Sequence, residues 1–181
     1  MRKILTIGGL AVASAILLSA CSSEAAPSKQ QASHNADDVT FAQQMVPHHS
    51  QALDMAKLVP SRSTDPQVLD LAARIEKAQD PEIQQMRGWL STWGATSTSS
   101  MPGMDHGAMP DVDMGKLEQA KGAEFDKMWL DMMIKHHQGA IDMARTELAK
   151  GGDAGAKALA QRIIDAQQAE ITEMQGLLSR G

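Results

Sequence analysis

One stretch of this chain is written twice, and the repeat constrains the fold more than any other feature. The first copy runs Met45-Val46-Pro47-His48-His49-Ser50-Gln51-Ala52-Leu53-Asp54-Met55-Ala56. The second runs Met133-Ile134-Lys135-His136-His137-Gln138-Gly139-Ala140-Ile141-Asp142-Met143-Ala144. The copies stand 88 residues apart, and the register holds downstream without a gap. Asp65 falls on Asp153, Leu71 on Leu159, Arg74 on Arg162 and Ile75 on Ile163; Gln79, Glu82, Ile83, Met86 and Gly88 fall on Gln167, Glu170, Ile171, Met174 and Gly176. A fixed internal period sets the architecture before any local signal does. The chain reads as a tandem duplication of one helical unit.

Each unit reads as two helices. From about Asp37, with Asp37 or Asp38 as N-cap, the residues Phe41, Met45, His48, Ala52, Met55 and Val59 recur at spacings of three and four, which puts them on one helix face. Pro60 and the segment 61–64 end this helix, and Asp65-Pro66 offers an N-cap followed by proline at the first helical position. The second helix runs to about Trp93 with Leu71, Ile75, Ala78, Glu82, Met86 and Trp89 inward; Pro81 should bend it without ending it. After a Ser-, Gly- and Pro-rich stretch, periodicity returns by Leu117 and continues to Lys150 through Phe125, Trp129, Met133, His136, Ala140 and Met143. Gly151-Gly152 stops that helix, and Asp153 caps a last one to about Ser179. No segment alternates like a strand. Two hairpins, each apolar on one side, close on each other as an all-α, antiparallel four-helix bundle.

The N-terminus carries a different signal. Met1-Arg2-Lys3 is a short basic start, Ile4 to Leu18 is apolar and uncharged, and Leu18-Ser19-Ala20-Cys21 sets small residues before the only cysteine. This is a secretory signal over residues 1–20, too short in its apolar part for a membrane span. Its ending resembles a bacterial lipobox, which makes Cys21 the lipidation site and the mature chain thiol-free. Residues 21–36 then form a flexible tether. The folded domain is 37–181, divided into a repeat at 37–93, a Met/His-rich linker at 94–113 and a repeat at 114–181. Removing Arg2 and Lys3 leaves 15 basic against 22 acidic residues, a net charge of −7 with His neutral. There is no basic patch and no Tyr, so no nucleic-acid partner is expected. The partners expected are a membrane, through the anchor, and a metal ion with a protein that hands it on or receives it.

The metal expectation starts from the inward stripe. His48 lies between Met45 and Met55, and His136 has the same place between Met133 and Met143. Imidazole with thioether suits copper better than magnesium, calcium or manganese, although Met at helical spacing also packs cores. A pseudo-two-fold arrangement brings the two histidines towards one axis. His49 and His137 sit about 100° round the helix, as additional ligands or as interface donors. Glu82 and Glu170 interrupt apolar stripes, and a buried carboxylate needs a metal, a His or an Arg beside it. Asp54 and Asp142 lie on outer faces, where an Asp–Arg pair with Arg74 and Arg162 or simple solvation accounts for them.

The linker holds a second cluster: Met101, Met104, His106, Met109 and Met114, in Gly- and Pro-rich chain. Closely spaced thioethers with one imidazole can wrap Cu(I). A low-complexity spacer or an adaptable contact surface is the alternative.

Over roughly Phe41 to Leu178 the chain resembles the bacterial family known as domain of unknown function 305, of the ferritin-like four-helix class. The resemblance rests on Met45-Val46-Pro47-His48-His49 with Ala52 and Met55-Ala56, on their second copies, and on Glu82-Ile83 to Met86 and Glu170-Ile171 to Met174. It implies export and an association with copper binding or tolerance; the second copy departs by Lys135 in place of Pro47. Gly103-Met104-Asp105-His106-Gly107-Ala108-Met109 is also similar to Met/His-rich segments of periplasmic copper-resistance proteins. Ferritin-like di-iron sites use Glu-x-x-His, and here Met45 and Met133 stand three residues before the histidines. The leading expectation is a lipoprotein on the outer face of a bacterial membrane, at the cell surface or in the periplasm, that binds copper, chiefly Cu(I), for sequestration, tolerance or delivery. A metal-dependent oxidoreductase and a metal-free structural envelope protein are the alternatives.

Overall fold

The structure, a computed structural model, describes residues 34–96 and 110–180. The signal segment, Cys21, most of the tether and the linker residues Met101, Met104, His106 and Met109 lie outside the described residues.

Five helices and no strand occur among the described residues: α1 (Ala36–Arg62), α2 (Pro66–Thr92), α3 (Asp111–Gln119), α4 (Gly122–Lys150) and α5 (Ala154–Leu178). The ends follow from local chemistry. Asn35, rather than Asp37 or Asp38, caps α1: its side chain accepts from the backbone N–H of Asp37 and Asp38, and the Asp38 carboxylate accepts from the Asn35 N–H. That reciprocal box places Asp38 in the first turn, where a negative charge favours the helix dipole. Asp65 caps α2 with Pro66 at its start, and Asp153 caps α5, both as expected. Pro60 lies inside α1, which continues to Arg62; α2 is continuous through Pro81.

One expected helix is two. The apolar phase joins Leu117 to Phe125, but Ala120 and Lys121 are extended and Gly122 has φ +58°. Glycine enters that left-handed region without the Cβ penalty, so the chain turns there while keeping its apolar phase. Helix α3 begins at Asp111, inside the expected linker 94–113, and Met114 lies within that helix.

α1 packs with α2, and α4 with α5; α3 lies on α4, and the hairpins meet through α1 and α4. These two run antiparallel. Asn35 before α1 donates to the carbonyl of Lys150 at the end of α4, and Trp129 Nε1 in the first half of α4 donates to the carbonyl of Met55 in the second half of α1 at 3.1 Å; Arg62 at the end of α1 donates to the Glu118 carbonyl in α3. Small buried residues at this junction (Ala42, Ala52, Ala56, Ala140 and Ala144) allow close approach. α2 meets α5 through Arg74, whose guanidinium lies 2.6 Å from Glu173 and 2.8 Å from Asp70. Of the two expectations for Asp54 and Asp142, solvation holds rather than pairing with Arg74 and Arg162: exposed Asp54 meets Lys57, exposed Asp142 meets Arg145, and Arg162 donates to the Ala158 carbonyl. Asp54 and Asp142 face solvent, where the next turn's cation is the nearer partner.

The interior is divided. One apolar cluster gathers Met55, Val59, Leu71, Ile75, Phe125, Trp129, Met133, Ile171 and Met174. The other gathers Phe41, Met45, Ile83, Met86, Met143, Leu159 and Ile163. Along each long helix, a short polar interval separates the two.

Candidate metal centre

Those intervals form one layer. Between its apolar groups α1 contributes His48 and His49, α2 Gln79 and Glu82, α4 His136 and His137, and α5 Gln167 and Glu170. Every member has its counterpart 88 residues away. The four histidines and two glutamines are buried, while the Glu82 and Glu170 side chains keep 20% and 14% exposure. The carboxylates therefore stand between solvent and the imidazoles behind them.

At the crossing of α1 and α4, the His48 and His136 ring centroids lie 3.6 Å apart with their planes tilted by 33°. His49 Nε2 lies 2.9 Å from Glu82 Oε2, and His137 Nε2 lies 2.7 Å from Glu170 Oε2. Facing a carboxylate oxygen, Nε2 is the protonated nitrogen. The lone pair then sits on Nδ1, which has no hydrogen-bond partner in either residue. A carboxylate on the far nitrogen fixes the tautomer and raises the basicity of the near one, the usual arrangement behind a metal-binding imidazole. Glu82 and Glu170 thus orient His49 and His137.

Burial holds His136 well below the ordinary histidine range, and the nearby His48, His137 and His49 push it further down; the His48 backbone opposes this weakly, without hydrogen-bond geometry. Neither His136 ring nitrogen has a hydrogen-bond partner. Burial also lowers His137, partly offset by Glu170. Neutral imidazoles present lone pairs, as coordination requires. Gln79 adds an unbonded amide nitrogen and oxygen, and Gln167 an unbonded oxygen. Most of the unsatisfied buried side-chain atoms among the described residues fall in this layer, and buried polar groups are ordinarily paired.

The methionines close the layer from both sides: Met45 and Met143 lie in one apolar cluster, Met55 and Met133 in the other, all buried. Met114, in α3, packs partly buried against the second of these. Among the described residues no three His, Cys, Asp or Glu side chains gather closely enough to hold a metal ion. A carboxylate-rich centre is therefore not formed, and the layer offers imidazoles in pairs with thioethers beside them. Gln79 and Gln167 went unnoticed as site residues in the sequence because glutamine carries no metal-ligand signature; their place one turn before Glu82 and Glu170 was the available signal.

Comparison with known proteins follows this geometry. The family described as domain of unknown function DUF305 matches residues 38–178. A DUF305 protein of Streptomyces coelicolor, provisionally named as secreted, has a solved structure 33% identical with TM-score 0.75, covering 80% of this chain and 93% of its own. A DUF305 fragment from Deinococcus radiodurans is 30% identical with TM-score 0.76, covering 82% and 99%. CopM, solved in Cu(I)-bound and Cu(II)-bound forms, is 29% identical with TM-score 0.70, covering 79% and 96%. An uncharacterised protein of Acanthamoeba polyphaga mimivirus is 39% identical over 54 residues, which is 30% of this chain and 36% of that relative's length.

Proposed function

The chain belongs to the DUF305 family, and on that premise we propose that it binds copper where its two hairpins cross, with His48 and His136 as imidazole ligands. The observation that carries this is the pair of buried rings, one from each repeat, with centroids 3.6 Å apart, in the layer that holds most of the unsatisfied buried side-chain atoms among the described residues. Met45, Met55, Met133 and Met143 supply soft donors on either side. His49 and His137, held by Glu82 and Glu170, supply further imidazoles. We take the four long helices as an antiparallel bundle of the ferritin-like class. Soft and borderline donors select copper over hard divalent ions; the 29% identity to CopM, solved with both oxidation states, supports the same choice.

The role is sequestration, tolerance or delivery outside the cytoplasm. The apolar run at Ile4–Leu18 followed by Cys21 supports export with a lipid anchor, and no helix among the described residues is long and apolar enough to cross a membrane. Met101, Met104, His106, Met109 and Met114 add a Cu(I)-capturing segment, and a copper-handling protein is the partner this role requires. Binding is favoured over oxidase turnover because both layer carboxylates are engaged by imidazoles. Titration of the purified domain with Cu(I), with residues 97–109 present and deleted, tests the proposal. The deleted form is expected to keep a copper equivalent; no binding by it would remove the central site. Retention of Cys21→Ser in membranes, as for the parent, would remove the anchor.

A further inference from the structure

Gln79 and Gln167 have no part in the copper reading above. Both are buried, at 2% and 3% exposure, and they occupy the same position in the two repeats. Neither amide atom of Gln79 has a hydrogen-bond partner, nor has the Gln167 oxygen. A buried carboxamide with unmade hydrogen bonds is costly, and the fold carries that cost twice, at related sites.

Their placement is specific. The relation between the repeats pairs His48 with His136 where α1 crosses α4. On the other side, Arg74 of α2 meets Glu173 of α5. Five residues on from Arg74 and five back from Glu173 stand Gln79 and Gln168, the neighbour of Gln167. That register sets the two glutamines at about the same level of α2 and α5, as the two histidines stand at the same level of α1 and α4. Packing alone would be served by an apolar residue, as Ile75 and Ile83 one turn either side serve it. A carboxamide oxygen is a hard donor, suited to a divalent ion, whereas the thioethers bounding the layer suit a monovalent one.

We infer that Gln79 and Gln167 are oxygen donors of the central layer that adapt it to Cu(II), so that one site accepts both oxidation states. This rests on the copper reading of the layer and adds a specificity-determining pair to it. The full-length protein carrying Gln79→Leu and Gln167→Leu is compared with the parent by Cu(II) chelator competition, by the electron paramagnetic resonance of the Cu(II) form, and by Ag(I) binding as a monovalent probe. The account expects Cu(II) affinity to fall by about tenfold or more, the resonance spectrum to change, and Ag(I) affinity to stay as in the parent. Gln79→Glu with Gln167→Glu returns oxygen donors and is expected to bind Cu(II) more tightly than the Leu variant, which also covers any loss of folding in the latter. An unchanged spectrum and affinity in a folded Leu variant overturns the inference. His48→Gln with His136→Gln separates the two levels. If those changes abolish central Cu(II) binding and the glutamine changes do not, only this inference fails; if neither pair matters, the copper reading of the layer fails with it.

Discussion

His137 holds Glu170 at 2.7 Å from inside the layer, with the imidazole fully buried and the carboxylate partly open to solvent. His49 and Glu82 repeat the arrangement at 2.9 Å in the other hairpin. Each hairpin thus brings its own oriented imidazole, and the close pair His48–His136 joins the two halves. On the proposed copper reading, the site is complete only when both copies close, so copper binding is expected to depend on the packing of α1 on α4.

The orienting carboxylates are the first test of this arrangement. Glu170→Gln with Glu82→Gln keeps an acceptor oxygen for each Nε2–H but removes its charge. Copper affinity is expected to fall by about 10- to 100-fold, the range for removing such partners, with little change in metal-free melting temperature. Chelator competition and thermal unfolding measure the two effects.

The pH dependence of stability comes from a different pair. Asp38 accepts from the backbone N–H of Gly152 and Asp153, tying the start of α1 to the α4–α5 turn. Burial alone pushes Asp38 up, but bonds from Asn35, Glu147, Asp153 and Gly152 outweigh it and hold the carboxyl below the ordinary range. Glu147 is buried without an N–H or hydroxyl partner, and its carboxyl is pushed up to about 8 by burial and by Asp38, with Asp37 adding to this and Lys157 opposing it. The neutral carboxyl donates to the Asp38 carboxylate. Because the folded value lies above the ordinary 4.5, Glu147's contribution is complete below that pH, declines above it and is gone once pH has risen through about 8. Asp38 acts in the opposite sense, and its contribution is lost on acidification below the ordinary carboxylate range. Chemical denaturation from about pH 5 to about pH 9, across the raised carboxyl value of about 8, should show falling stability in the parent. Glu147→Gln, which keeps a donor but does not titrate, should flatten that fall.

Two glycines separate steric from conformational cost. A Cβ at Gly151 would lie 2.1 Å from Glu147 Oε1 and 2.8 Å from Asp38 Oδ1, so Gly151→Ala is expected to cost about 1–3 kcal/mol through overpacking. The cost should shrink in a Glu147→Ala background. A Cβ at Gly122 meets nothing within 4 Å, but its φ of +58° is left-handed, so Gly122→Ala should cost about 1–2 kcal/mol. Asn, which tolerates that region, should cost less. Denaturation midpoints decide both.

Much of this was legible because the repeat and the helix signals agree. Asp65-Pro66 and Asp153 mark their helices by capping chemistry that depends on few neighbours, and the histidines stand in apolar stripes whose period is visible. The α3–α4 break was hidden because Leu117 and Phe125 keep helical phase across it, and only the backbone at Gly122 departs. The Asp38–Glu147 pair was hidden for another reason. The repeat counterpart of Glu147 is Val59, so the internal symmetry gives no warning of a carboxyl there. Which imidazole each glutamate serves depends on hairpin register at the level of single residues, and His48 and His49 differ by only one.

Copper-dependent thermal unfolding of the protein lacking residues 97–109 tests the central site most directly, because a ligand held only by the folded state raises the melting temperature. The parent should melt higher with copper than without. With His48→Gln and His136→Gln, that rise should vanish and one copper equivalent should be lost. A rise of the same size in the double variant would contradict the account and leave the paired histidines as packing alone.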